Sequence, residues 1–237
     1  MTKELYLENS YLKEYETDII SINENNVVLK ETIFYPGGGG QPSDKGLILQ
    51  EDETYKVVSV KRNNGEIYHE LDRPLKDANQ PVTMKVDWSW RFQNMRYHTL
   101  LHVISGYLYE HYNALATSNQ IEKDYARLEV ALSSEVIEEI PFEQLEENLK
   151  ELLKEPHEVV TQSMSKEEAS QQEGIIKTTI NLLPPSLKEI RTVAIEGIDK
   201  QACGGTHVDN TSEIGDFSIV KIQKKGALKR RIKVKLN

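Results

Sequence analysis

One cysteine, Cys203, stands in a chain of 237 residues, and it cannot close an internal disulfide. Lacking a disulfide framework, the sequence reads as that of a cytoplasmic protein held by a buried core. Long apolar runs are missing as well: none approaches the roughly 18 residues of a membrane span. The opening stretch MTKELYLENSYLKEYETD interleaves charges with apolar residues and has no signal-peptide core. Glycines 37–40 are not followed by Gly-Lys-Ser/Thr, which excludes a Walker loop, and Pro42 occupies the place of the last glycine of a dinucleotide fingerprint. Internal repeats are absent too.

Positive charge is also in deficit, 29 Lys and Arg against 38 Asp and Glu for a net charge of −9, which by itself argues against a polyanionic partner. Its distribution argues the other way. The terminal stretch KIQKKGALKRRIKVKLN (221–237) holds eight basic residues and no acidic one. That pattern fits either a lysine-protected strand edge or a nucleic-acid backbone contact.

What is present has two characters. From residue 1 to 86, short runs of alternating apolar and polar residues are broken by NENN, PGGGG, EDE, NNG and DANQ, a pattern of five to seven strands. A small β-barrel or sandwich closes such a set, and the barrel is the expectation. At Asp87 the pattern changes to a helix of roughly 24 residues, with Met95, Leu100, Leu101, Val103, Ile104 and Leu108 at helical spacing. Beyond it, ARLEVAL reads as a strand, PFEQLEENLKELLKE as a helix opened by Pro141, and HEVVTQSM as a strand. A short helix boxed by Ser165 and Glu168, the strand IRTVAIEG and a closing hairpin complete the chain. The expected class is α+β: an N-terminal small β-barrel over 1–86, followed over 87–237 by an α/β domain with an antiparallel sheet and packed helices.

Two pairs of residues carry chemistry. His98 and His102 in HTLLH lie four apart on the expected helix, so both imidazoles share a face and can reach one ion. The plain alternative is two polar residues on a helical surface. A zincin protease is disfavoured, because Thr99 stands where that motif places its glutamate base. Cys203 and His207 in CGGTH are also four apart, but Gly204 and Gly205 favour a tight turn that aims both side chains at one point. The plain alternative is a buried cysteine acting as a small hydrophobe. Together the pairs supply three nitrogens and one sulfur, a donor set that suits Zn2+. Four protein ligands usually make a structural site, so catalysis would need a displaceable ligand, an expanded shell, or neighbours that activate water.

FYPGGGGQPSDKG, MRYHTLLHVI and CGGTHVDNTSEIG follow one another in this order. The set resembles the editing module of alanyl-tRNA synthetase and its free-standing relatives, the AlaX alanyl-tRNA editing proteins, over nearly the whole chain from about residue 25. The chain is similar to their mid-length class, with a glycine-rich barrel domain joined to an editing domain.

The resemblance implies a zinc-dependent, ATP-independent hydrolase that clears seryl and glycyl esters from mischarged tRNA(Ala), with no membrane and no obligatory protein partner. It matches His98, His102, Cys203 and His207 to the zinc ligands, and Gly37, Gly38, Gly39, Gly40 and Gln41 to a loop facing the substrate, with Gly204 and Gly205 beside it. Thr32 becomes the candidate sensor of a serine hydroxyl. A zinc-associated water is the reactive group, and no catalytic side chain is assigned. Lys224, Lys225, Lys229, Arg230 and Arg231, with Arg91 and Arg96, are expected on the acceptor-stem backbone. The segment 129–173, with thirteen Glu and three Lys, is expected to face away from RNA. Leu100 and Leu101 fill a spacer where many relatives carry a smaller residue. The alternatives are a zinc-stabilised RNA-binding module without hydrolysis, and a deacylase of another ester such as seryl-tRNA(Thr).

Overall fold

A computed structural model describes residues 2–135, 137, 140–171, 174, 175, 177 and 189–237. The chain divides into two compact units, Met1–Met95 and Arg96–Asn237, each treated by itself below. The fold is α+β, its sheets mostly antiparallel.

The first unit runs β1 (Lys3–Glu4), α1 (Leu5–Glu8), β2 (Glu14–Thr17), β3 (Ile19–Asn23), β4 (Asn26–Leu29), β5 (Glu31–Thr32), β6 (Gly46–Gln50), β7 (Glu53–Asn63), β8 (Glu66–Leu71) and β9 (Val82–Val86). Seven of these strands form one sheet in the order β2-β9-β6-β7-β8-β4-β3, while β1 and β5 pair in parallel. The two edge strands, β2 and β3, are consecutive in sequence and joined through Asp18 alone, so the sheet curls into a half-barrel. No ladder joins β2 to β3 among the described residues. Strict alternation decides what faces inward: in β8, Ile67, His69 and Leu71 are buried while the residues between them are not. Val27, Leu29, Phe34, Ile48 and Met84 fill the same core.

Helix α2 (Trp88–Tyr112) opens as its sequence predicts, with Asp87 Oδ1 accepting the Trp90 N–H at 3.1 Å. The second unit continues with β10 (Leu115–Ile121), β11 (Ala126–Ala131), α3 (Leu145–Leu152), β12 (Val159–Ser165), α4 (Lys166–Gln171), β13 (Glu189–Ile195), β14 (Asp199–Ala202), β15 (Phe217–Gly226) and β16 (Lys229–Leu236). One antiparallel sheet has the order β10-β11-β16-β15 and another β12-β13-β14.

Helix α3 starts four residues after Pro141: Gln144 N–H bonds to Pro141 O and Leu145 N–H to Phe142 O, tight turns that lead into the helix rather than belong to it. The capping box of α4 is present in both directions, Glu168 N–H to Ser165 Oγ at 3.1 Å and Ser165 N–H to Glu168 Oε2 at 2.8 Å. Strand β10, LATSNQI, is an addition that its weak apolar alternation does not announce.

The most deeply buried charge in the first unit is an ion pair between Arg91 and Asp44, both side chains fully inaccessible. Arg91 Nε donates to both Asp44 oxygens, and its other nitrogens donate to Ser10 O at 2.7 Å and Ile33 O at 2.6 Å. Asp44 also accepts the Tyr35 N–H at 2.6 Å. This overturns the expectation that Arg91 meets RNA: its guanidinium is inaccessible, and each of its three nitrogens is already bonded inside the core. Substituting Asp44→Asn leaves that guanidinium buried without its counter-charge and should cost about 3–5 kcal/mol. Both tryptophans of the chain, Trp88 and Trp90, lie in this unit, so urea unfolding followed by tryptophan fluorescence reads the loss directly.

Candidate metal centre

A helix turn and a strand end build the centre within the second unit. His98 and His102 project from adjacent turns of α2, their ring centroids 5.1 Å apart. Cys203 and His207 follow β14, in a segment pinned by Arg191, whose guanidinium donates to Cys203 O at 2.9 Å and Gly205 O at 3.0 Å. Cys203 N–H returns the bond to Arg191 O at 3.0 Å. Cys203 Sγ then lies 3.6 Å from His98 Nε2 and 3.3 Å from His207 Nε2, and the four potential ligand atoms all fall within 4.8 Å of one another. Gly204 and Gly205 are not in the left-handed region, and a Cβ on Gly204 would meet nothing. The Arg191 clamp, more than glycine flexibility, aims the thiol.

The groups behind the donors hold them in place. Asp199 Oδ2 lies 3.1 Å from His102 Nδ1, which fixes that ring with Nε2 toward the centre. The same carboxylate accepts from Lys177 Nζ at 2.5 Å and Gln201 Nε2 at 2.7 Å. Thr99 Oγ1 accepts the Val208 N–H at 3.3 Å and sits 3.1 Å from His207 Nδ1, giving the residue that replaces a zincin glutamate an orienting contact. Helix α2 comes close enough for this only because residue 106 is glycine: a Cβ there would stand 2.6 Å from Ile198 O and 2.8 Å from Asp199 Cβ.

The electrostatics favour the metal-binding forms of Cys203 and His207, while His102 holds a proton that a bound metal ion would displace. Burial opposes ionisation of Cys203, but His98, His207 and His102 around it prevail and hold its thiol well below the usual thiol range. Burial and the neighbouring His98 hold His207 well below the usual imidazole value, so its ring is neutral with a lone pair to give. Burial pulls His102 down, yet the Cys203 thiolate and Asp199 outweigh it and raise the ring to about 9. Asp199 is likewise disfavoured by burial, and its bonds to His102 and Lys177 keep it below the ordinary carboxylate value. A soft thiolate and three imidazoles, backed by a carboxylate, fit a divalent ion of the zinc type.

The remaining sequence-predicted residues fall in other places. In the first unit Gly37, Gly38, Gly39 and Gly40 all have positive φ (76, 132, 54 and 84°), which explains four glycines in a row. Their loop is closed by paired Gly38 and Gln41 backbone bonds of 3.0 Å, by Tyr35 Oη donating to Gly38 O at 2.9 Å, and by Trp90 Nε1 donating to Ser43 O at 2.9 Å. Gly38 and Gly39 are exposed at its tip, while Gln41 is tucked in and buried.

Thr32 is fully buried. His69 Nδ1 faces the Val27 carbonyl at 3.1 Å and must carry the proton, and burial lowers the ring to about 4, so Nε2 accepts from Thr32 Oγ1 at 2.8 Å. Thr32 Oγ1 in turn accepts the Phe34 N–H at 3.1 Å.

In the second unit Lys224, Lys225 and Lys229 are exposed. Arg230 is buried and donates to Ala227 O and Lys229 O, Arg231 is paired with Glu129, and Arg96 Nε donates to Ile214 O at 2.8 Å. Burial removes Arg230 from the RNA-facing set. Asp199, Lys177 and Gly106 carry no sequence signal of their own and emerge only from the packing.

Comparison with known proteins places these features in a family. Residues 190–233 match the second additional domain of threonyl and alanyl tRNA synthetases, and residues 6–90 match class II (A) tRNA synthetases. The chain is 36% identical over 240 residues to the alanyl-tRNA editing protein AlaX-M of Methanosarcina barkeri and 37% identical over 242 residues to that of Saccharolobus solfataricus, covering 98% of every chain. It is 32% identical to the alanine–tRNA ligase of Pyrococcus furiosus, matching 94% of itself but 24% of that enzyme.

Replacing Asp199 with asparagine keeps the shape but frees the His102 ring and removes the charge behind it. Affinity for Zn2+, titrated against a chromophoric chelator, should fall by about 10–100-fold. Unaltered affinity would show that Asp199 does not support the centre.

Proposed function

The chain belongs to the AlaX-M alanyl-tRNA editing proteins, and we propose that it is a zinc-dependent trans-editing hydrolase, acting on seryl-tRNA(Ala) and on glycyl-tRNA(Ala). The observation that carries this is the convergence of His98, His102, Cys203 and His207 within 4.8 Å, in a chain that aligns with AlaX-M proteins from end to end. In this reading residues 1–86 form the glycine-rich small-barrel domain, 87–237 the editing domain, and the protein works in the cytoplasm, where aminoacyl-tRNA is used.

His98, His102, Cys203 and His207 would hold Zn2+. When bound, the ion polarises a carbonyl and lowers the pKa of water toward about 7, the chemistry that ester hydrolysis at neutral pH requires. Asp199 and Thr99 keep the His102 and His207 rings turned so that their Nε2 lone pairs converge. Lys177 neutralises the Asp199 carboxylate, so the centre does not accumulate a second uncompensated negative charge.

Choosing serine over alanine cannot rest on size, since the unwanted residue is the larger; it requires a partner for the hydroxyl. Thr32 is our choice for it. Its hydroxyl is held by His69 Nε2 and Phe34 N–H and lies 3.7 Å from Met84 Sδ, so a seryl hydroxyl reaches its remaining lone pair only when this fully buried side chain opens to the substrate. Gln41 and the main chain of Gly37–Gly40 form the substrate-facing loop, with Gly204 and Gly205 beside the metal, and the basic 221–237 segment meets the acceptor stem.

Deacylation of seryl-, glycyl- and alanyl-tRNA(Ala) by metal-replete protein, with and without chelator, tests the reading. Seryl-tRNA(Ala) should be cleared and alanyl-tRNA(Ala) spared, chelation should abolish turnover, and added Zn2+ should restore it. Seryl-tRNA(Ala) left intact by metal-replete protein that still binds tRNA would point to an RNA-binding module instead. Thr32→Val should erase about tenfold of the serine preference, the loss of one buried hydrogen bond; an unchanged preference removes Thr32 from the pocket.

A further inference from the structure

The sheet β10-β11-β16-β15 concentrates charge of one sign. Its four strands carry nine Lys and Arg and a single carboxylate, Glu129, in a chain whose net charge is −9. Alternation sorts them: Leu128, Val130, Ile232 and Val234 point inward and are buried, while the residues between them face out.

Register then lines the outward cations up. Arg127 stands opposite Lys233, and Lys233 opposite Lys221, so three positive charges from three neighbouring strands share one row. At about 4.8 Å per strand the row spans roughly 10 Å. Lys235, opposite Ser218, extends it by one step. Like charges directly opposite are destabilising in a sheet, and nothing acidic interrupts this row. Glu129 lies in the next row, paired with Arg231 and 3.9 Å from Arg127 Nη1, and the Arg127 guanidinium also donates to Gln120 Oε1. The Tyr125 ring sits 3.6 Å under Lys233 Nζ and holds that ammonium in position.

We propose that this outward face is the track on which the phosphate backbone of an RNA lies, with Arg127, Lys221, Lys233 and Lys235 meeting consecutive phosphates. It deepens the functional reading above, on which the identity of the RNA rests, and moves the contact from the hairpin turn to the face of the sheet. A polyanion is the partner that relieves the repulsion along the row. Gln223 and Ser218 interleave the cations on this face, side chains suited to phosphate and sugar oxygens rather than to lipid.

Fluorescence anisotropy with an uncharged tRNA(Ala) transcript, read across a salt series, tests the track. The double variant K221Q/K233Q, checked for folding by circular dichroism, should lower the slope of log affinity against log salt by about 2. It should also cost at least about three times more affinity than K224Q/K225Q at the turn. E129Q, which removes the one opposing charge, should tighten binding about threefold, a gain that a merely structural role does not produce.

An unchanged slope in K221Q/K233Q, a larger loss in K224Q/K225Q, or tighter wild-type binding to phosphatidylserine vesicles than to the transcript would overturn the proposal. Wild-type protein that binds the transcript with the expected salt dependence but hydrolyses no ester would overturn the editing reading and leave the track standing.

Discussion

Bringing a thiolate and three imidazoles to one buried point is the constraint that shapes the second unit. Among the crowded imidazoles His207 resists protonation while His102 takes the proton that the buried thiolate needs beside it, and both rings are held through their outer nitrogens. Asp199 answers for His102 and Thr99 for His207, and Lys177 answers for Asp199 in turn. Each answer demands closeness. Gly106 supplies it on the helix side by omitting a side chain, and Arg191 supplies it on the other by gripping the carbonyls around Cys203. The centre is thus a small polar network drawn from one long helix and one three-stranded sheet with its flanking segments, of which the four donors are the visible part.

Those four donors were legible because their geometry is local. A helix sets His98 and His102 on one face by its period, and a turn sets Cys203 near His207 by its brevity. Most of the curled sheet was legible for a similar reason, as short alternating runs between turn residues, whereas β2 and β3 read as one run because Asp18 alone divides them. Asp199, Lys177 and Gly106 were not, since each acts on a residue distant in sequence and has ordinary neighbours. Arg91 shows how charge alone misleads: an arginine beside a histidine motif looks like a phosphate ligand, and whether it is one depends on a carboxylate 47 residues away. Arg230 misleads in the same way, because in a strand the side on which a residue falls outweighs its charge.

The glycine-rich loop and the metal centre are built by opposite strategies. Around the centre, side chains do the work and the backbone is held still. In the loop the side chains are gone, and the closure comes from main-chain bonds between Gly38 and Gln41 and from the Asp44 carboxylate that ties the loop's exit to Tyr35 at its entrance. Arg91 then ties Asp44 to the start of the long helix. The rigidity of a four-glycine segment is therefore borrowed entirely from the residues flanking it.

Four successive positive φ angles give this segment the handedness of a mirror-image polypeptide. A chain of L-amino acids can write such a passage only with its one achiral letter. A side chain at Gly38, with φ 132°, meets a strained backbone, and one at Gly37 also approaches Ser43 N to 3.1 Å. Side-chain replacement in most of this loop carries a backbone cost, and adaptation toward a different ligand falls more readily to its neighbours.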